Sequence, residues 1–158
     1  MTQDKPFEGR VALVTGASRG IGAATATALA ARGAHVILTA RDDSALERVE
    51  DEIHQSGGTA TIAPVDLTAG DGIARLAQAI ASRWDALDML VICAAYLPTL
   101  TPITQIDPKQ FNTAITTNIL ATQALIAGLH PLLKRADAAR VIGLTSSVGD
   151  EPRAYWAA

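Results

Sequence analysis

Three glycines at positions 16, 20 and 22 separate two segments of opposite character. Ahead of them, Val11-Ala-Leu-Val-Thr15 is apolar and β-branched with little alternation, the pattern of a strand buried on both faces. Behind them an alanine-rich helix runs to about Arg32 and is stopped by Gly33. The turn reads Thr15-Gly16-Ala17-Ser18-Arg19-Gly20-Ile21-Gly22. A helix N-terminus offers unpaired N–H groups and the positive end of a dipole to a phosphate. Side chains would obstruct that approach, so glycine belongs where backbone and ligand come closest. A strand–turn–helix of this kind points to a dinucleotide site, although a tight turn packed on a helix would use the same glycines. No Gly-Lys-Ser or Gly-Lys-Thr follows, which excludes a P-loop.

The rest of the chain repeats the alternation. Strands are expected at His35 to Ala40, Thr59 to Val65, Met89 to Ala95 and Arg140 to Thr145. A helix opens near Asp43 or Ser44, where Ser44-x-x-Glu47 matches a capping box, and carries Leu46, Val49 and Ile53 on one face. Ile73, Leu76, Ala77, Ile80 and Trp84 mark the next helix. Asp107-Pro108-x-Gln110 is a strong helix start, and Phe111, Ile115, Ile119, Thr122, Ile126 and Leu129 stripe that helix until Pro131. Five strands separated by helices imply parallel pairing with helices on both faces of the sheet. The expected fold class is α/β, a doubly wound parallel sheet of Rossmann type, as one domain over residues 1–158.

Composition narrows the function. A net charge of −3 and no run of basic residues speak against a nucleic-acid partner, which needs clustered Lys and Arg. Cys93 is the one cysteine, and His35, His54 and His130 lie far apart, so no metal site is expected. The opening MTQDKPFEGR has no apolar core, and the longest apolar run, Met89 to Leu97, falls short of the ~18 residues a bilayer requires. A cytoplasmic protein without a membrane partner is expected.

The spacing GxxxGxG after Thr15 resembles the cofactor motif of the short-chain dehydrogenase/reductase family. The resemblance continues along the chain. Val65-Asp66-Leu67 is similar to the segment that contacts adenine, and Leu90 to Ala95 stands in place of the family's LVNNAG. Thr117-Asn118-Ile119 matches its VNL, and Leu144-Thr145-Ser146-Ser147 its ISS. It implies that Thr15, Gly16, Ser18, Arg19, Gly20, Ile21, Gly22, Arg41, Asp66, Leu67, Ala94 and Ala95 bind a nicotinamide dinucleotide. A cofactor without a 2′-phosphate is usually held by an acid ending the second strand. Ala40 stands there, followed by Arg41, with Arg19 in the turn. Two arginines suit a 2′-phosphate, so NADP(H) is expected over NAD(H). The alternative for Arg41 is a surface pair with Asp42 or Asp43.

The resemblance further implies hydride transfer between NADP(H) and a carbonyl or alcohol substrate, in a homo-oligomer when the chain is full-length. It implies that Ser146 orients the substrate oxygen and that Asn118 positions a water in the proton path. The family's tyrosine should fall thirteen residues after Ser146, one past Ala158, and Lys5, Lys109 and Lys134 form no YxxxK. The chain is therefore expected to be about the first two thirds of a family member, truncated after the fifth strand, with the active-site helix starting at Ala157-Ala158. A non-catalytic nucleotide-binding remnant is the alternative. Cys93 stands where the family has asparagine and is read as a small buried hydrophobe.

Overall fold

The short apolar runs form five parallel strands: β1 (Val11–Thr15), β2 (His35–Thr39), β3 (Thr59–Ile62), β4 (Met89–Ile92) and β5 (Arg140–Gly143). Their order in the sheet is β3-β2-β1-β4-β5. The computed structural model describes residues 5–151 and 153–156. Residues 1–4 of the opening stretch and the helix start expected at Ala157-Ala158 lie outside them.

β1 is central and wholly buried because its alternating side chains serve two cores. Ala12 and Val14 pack with Ala26 and Ala30 of α1 (Gly20–Ala31) and with Leu46, Val49 and Ile53 of α2 (Asp43–Gln55). Val11 and Leu13 face the other way, toward Leu76 and Ile80 of α3 (Gly72–Ala81) and Leu125 and Leu129 of α5 (Ala121–Leu133). This is the doubly wound sheet expected. The strand order reverses between β1 and β4, which opens a crevice at their carboxyl ends.

The regular strands are shorter than their apolar runs. β3 stops at Ile62 and β4 at Ile92, yet single bonds continue past the ends of β3 and β5. Ala63 N donates to Leu38 O, Val65 N to Ala40 O and Leu144 N to Ile92 O. The outer edge of β3 is blunted in two ways: the His54 ring accepts from Ala60 N at 3.4 Å, and Pro64 has no N–H to offer. The β5 edge has neither device, and all four of its residues are exposed. At the opposite end of the strands Asp88 binds three neighbours together. Its carboxylate accepts from Arg10 Nη1 at 2.8 Å and Val11 N at 2.9 Å, and its carbonyl accepts from Arg140 N.

Three local expectations change. α2 is capped by Asp42, whose Oδ1 accepts from Ala45 N at 3.1 Å. Ser44 lies inside the first turn and donates to Asp42, so the earlier of two capping residues two positions apart wins. Asp107 does cap α4 (Pro108–Ile115), but Gln110 accepts from Thr99 N in a neighbouring loop and closes no capping box. The helical stripe is displaced. α4 passes through a π-helical turn (Thr116–Leu120) into α5, and the face on the sheet is Ala114, Ala121, Leu125, Leu129 and Leu132. Phe111, Ile119 and Ile126 are exposed. The helix has two adjacent apolar faces, and periodicity cannot say which one the sheet covers. Pro131 ends nothing: it lies on the exposed side, and α5 runs to Leu133. No helix among the described residues is long and apolar enough to cross a membrane.

These packing differences predict that Leu129→Ala costs about 2–5 kcal/mol. Ile126→Ala should stay within about 0.5 kcal/mol, both read by urea unfolding. A second expectation concerns pH. The His35 ring bridges Thr59 and Thr61 of β3 at 3.2 and 3.1 Å and stacks on Trp84. Burial pushes its pKa below the usual value, His54 pushes the same way and Glu50 opposes. The unfolded chain therefore takes up the proton first, so stability present above about pH 6.5 is lost as pH falls through the lowered value. The stability advantage of the wild type over His35→Asn should shrink on acidification from about pH 7.5 to 5.5.

Candidate dinucleotide and catalytic site

The crevice begins where β1 gives way to the glycine turn. Thr15 is fully buried, and its Oγ1 accepts from Cys93 N at 3.2 Å and Ala94 N at 3.1 Å. The hydroxyl is thus committed to joining β1 to the end of β4, and the residue positions the turn from beneath. Gly16 follows with φ +65, and a Cβ there would lie 2.8 Å from Ala94 N. A Cβ on Gly22 would run into the Gly16 carbonyl. Both glycines are therefore demanded by close backbone approach. Gly20 has φ +57, and a Cβ there would meet nothing within 4 Å, so space stays open in front of the helix.

Ala17 N donates to Thr39 O, which fastens the turn to β2 as well. Arg19 precedes α1 in an extended conformation with no capping side chain, and the first turn holds no acid. The positive end of α1 is consequently left for an anion. Ser18 is half-buried, while Arg19 and Ile21 are exposed at the rim.

Two further segments border this opening. Arg41 is exposed just beyond β2 and makes no ion pair with Asp42 or Asp43. Asp42 is occupied with the α2 cap. Asp66 Oδ1 accepts from Thr68 N at 2.9 Å and Thr68 Oγ1 at 2.7 Å. Those bonds hold its carboxyl below the usual range, and the Arg41 charge adds to them. Among the described residues no group donates to Oδ2, which leaves an acceptor for a ligand. Leu67 is half-buried and packs on the α3-side core, so its side chain anchors this segment.

Sequence reasoning missed the supports. A Cβ on Gly72 would approach the Asp66 carbonyl to 2.8 Å, so a glycine in the first turn of α3 lets the Asp66 loop close. The Asp-x-Thr spacing at Asp66 and Thr68 is a legible turn signal. The third border is the loop after β4. Ala94 N is held by Thr15, Ala95 is exposed, and Tyr96 is gripped by Asn118. Asn118 Oδ1 accepts from Tyr96 N at 2.8 Å and Nδ2 donates to Tyr96 O at 3.0 Å. The residue lies in the π-helical turn, a distortion frequent at functional sites, and it is exposed rather than buried in an apolar stripe. Gln110 fixes the same loop at Thr99.

Cys93 is half-buried, and burial pushes its thiol pKa up. Its backbone N–H is satisfied by Thr15, so the β4 end keeps its geometry through the Thr15 hydroxyl. Ser146 follows β5, exposed, with Oγ at 3.5 Å from Val148 N. β5 is the neighbour of β4, so Ser146 and the Asn118-bound loop leave the sheet on adjacent strands at the same end.

The family model for short chain dehydrogenase matches residues 10–158. The chain belongs to the short-chain dehydrogenase family. It is 34% identical over 152 residues to the oxidoreductase YciK of Escherichia coli, an alignment covering 94% of this chain and 60% of that protein. A short chain dehydrogenase from Shigella flexneri 2a, complexed with NADP, superposes with a TM-score of 0.93 at 32% identity, covering 98% of this chain and 66% of that one. One from Escherichia coli CFT073, complexed with NADPH, superposes at 0.92 with 34% identity, covering 97% and 65% respectively. The chain thus spans less than two thirds of the length of these relatives.

The division of labour around Thr15 predicts a specific loss. Thr15→Val would leave two partly buried N–H groups without their acceptor and should cost about 1–3 kcal/mol in urea unfolding.

Proposed function

We propose that the crevice binds NADP(H), and that the whole protein moves a hydride between it and a carbonyl or alcohol substrate. The observation that carries the cofactor choice is Arg41, exposed and free of any ion pair among the described residues, beside Asp66 and next to an alanine where an acid would repel a 2′-phosphate. The NADP and NADPH complexes of the two superposed dehydrogenases support the same choice. The residues fit the group: Gly16 and Gly22 leave no room for a Cβ beneath it, and α1 has no side-chain cap or first-turn acid to oppose its phosphates.

In this reading the Gly20, Ile21 and Gly22 N–H groups receive the pyrophosphate, with Gly16, Ser18 and Arg19 shaping the approach. Arg41 and Arg19 hold the 2′-phosphate by charge-assisted bonds. Asp66 Oδ2 accepts from the adenine amino group while Leu67 supports that wall, and Ala94 and Ala95 border the nicotinamide ribose. When bound, the nicotinamide supplies or accepts the hydride. Ser146 orients the substrate oxygen and excludes other poses. Asn118, already fixed on Tyr96, holds a water for the proton path.

A second reading, nucleotide binding without catalysis, is favoured by Cys93 at the asparagine position. Exposed Phe111, Ile119 and Ile126 on one helical side support self-association of the whole protein.

Arg41→Ala should weaken NADPH binding by at least about tenfold, the worth of one charge-assisted bond, and leave NADH nearly unchanged. Fluorescence titration reads both, and equal losses would sink the 2′-phosphate assignment. If NADPH binds and a panel of carbonyl substrates leaves its absorbance constant, the non-catalytic reading holds for these 158 residues.

A further inference from the structure

A second cavity, of about 660 Å³, runs along the outer strand β3 on the side that α3 covers. Volumes of this size suit small-molecule ligands. β3 and β5 are separated by four inter-strand steps, about 19 Å, so the groove lies across the sheet from Ser146. It meets the crevice only at its upper end, where Asp66 lines both.

The helix explains the groove's form. Gly72, Leu76 and Ile80 make one row at four-residue spacing, and Arg75, Ala79 and Arg83 make the next. The first row and Ile37 close the base with side chains already buried in the core, and Trp84 is the half-buried apolar surface above them. The second forms a rim with an arginine at each end and a gap at Ala79 in the middle. Residues 61–66 close the opposite wall. Trp84 is held in place by stacking on His35 at 5.3 Å, with His35 itself tied to Thr59 and Thr61.

The two ends of the groove differ in charge. At the upper end Arg75 is neutralised by Asp71 at 2.8 Å, and Asp66 adds a carboxylate. At the lower end Arg83 is exposed and in no ion pair among the described residues. The groove is thus mixed, with apolar surface at Trp84, Ala79 and residues 63–65 and one guanidinium outside any ion pair among the described residues. It calls for a ligand with an apolar body and a single anionic head, because the tail gains hydrophobic contact while the head meets the arginine.

We propose that the groove binds an amphipathic monocarboxylate, its chain over Trp84 and Ala79 against the wall of residues 63–65 and its carboxylate on Arg83. Arg75 lies in α3 and Arg83 just past its Ser82 cap, where Trp84 N still donates to Ile80 O, so the eight residues between them rise about 12 Å, which accommodates an acyl chain on the order of eight to ten carbons. Asp66 at the far end repels the head and so sets the direction.

Calorimetric titration of the 158-residue chain with sodium decanoate tests this, with 1-decanol as the uncharged control. The expected result is one saturable site, with decanol weaker by about tenfold or more, as loss of a charge-assisted contact requires. Arg83→Glu should weaken decanoate by at least about the same factor. Ala79→Trp, an exposed position, should plug the trough and abolish binding. Both variants should keep the wild-type urea midpoint and, where the chain binds NADPH, its NADPH affinity. The proposal is overturned by absence of saturable binding, by decanol binding as well as decanoate, or by Ala79→Trp binding normally.

Discussion

The fold hinges on the contact between β1 and β4 at their carboxyl ends. Sheets of this kind open a crevice where strand order reverses, and there the ladder runs out while backbone donors remain. Thr15 answers that need with a single buried oxygen that accepts two N–H groups from the β4 end. The turn above it is free to curl because Gly16 and Gly22 permit backbone-to-backbone approach that no side chain would allow. Everything bordering the crevice is measured from this junction. The Asp66 loop is closed by Gly72, and the Tyr96 loop is held by Asn118 and Gln110.

The site is thus a layer of supports beneath a layer of exposed groups. Thr15, Thr68, Gly72 and Gln110 fix the loops; Arg19, Arg41, Asp66 and Ser146 stand exposed, with Asp66 Oδ2 and both guanidinium groups outside any ion pair among the described residues and Ser146 Oγ only weakly engaged. This separation lets the outer layer present charge without strain in the core. The backbone at Cys93 is likewise tied by Thr15, through a bond that does not involve the Cys93 side chain.

The strand–turn–helix, the doubly wound order and the Asp107 cap are legible in the sequence because each rests on local chemistry. Short range is also where adjacent choices are ambiguous, and Asp42 outcompetes Ser44 for the α2 cap. The α4–α5 stripe misleads for a different reason. Ile119 and Ile126 are as apolar as Leu125 and Leu132, and only the position of the sheet distinguishes the two faces, with Leu129 the one member of the expected stripe that is fully buried. The place of Thr15 in the motif suggests a ligand-facing residue, whereas its side chain points into the sheet, a fact set by strand alternation and by the partner β4. The supports at Gly72 and Gln110 depend on contacts with loops distant in sequence, which no pattern within one segment encodes.

The unequal sheet edges bear on how the chain is made. Synthesis lays down β1, then β2, then β3, moving outward in one direction, and the edge thus created is sealed at once by His54 and Pro64. Only afterwards do β4 and β5 emerge, and they have one remaining flank on which to dock. Once β3 has paired, a nascent chain of this order meets a single growing side, which suppresses mispairing during translation when unpaired strands are most hazardous. The proline that spoils the β3 edge therefore acts earliest as a guide to assembly.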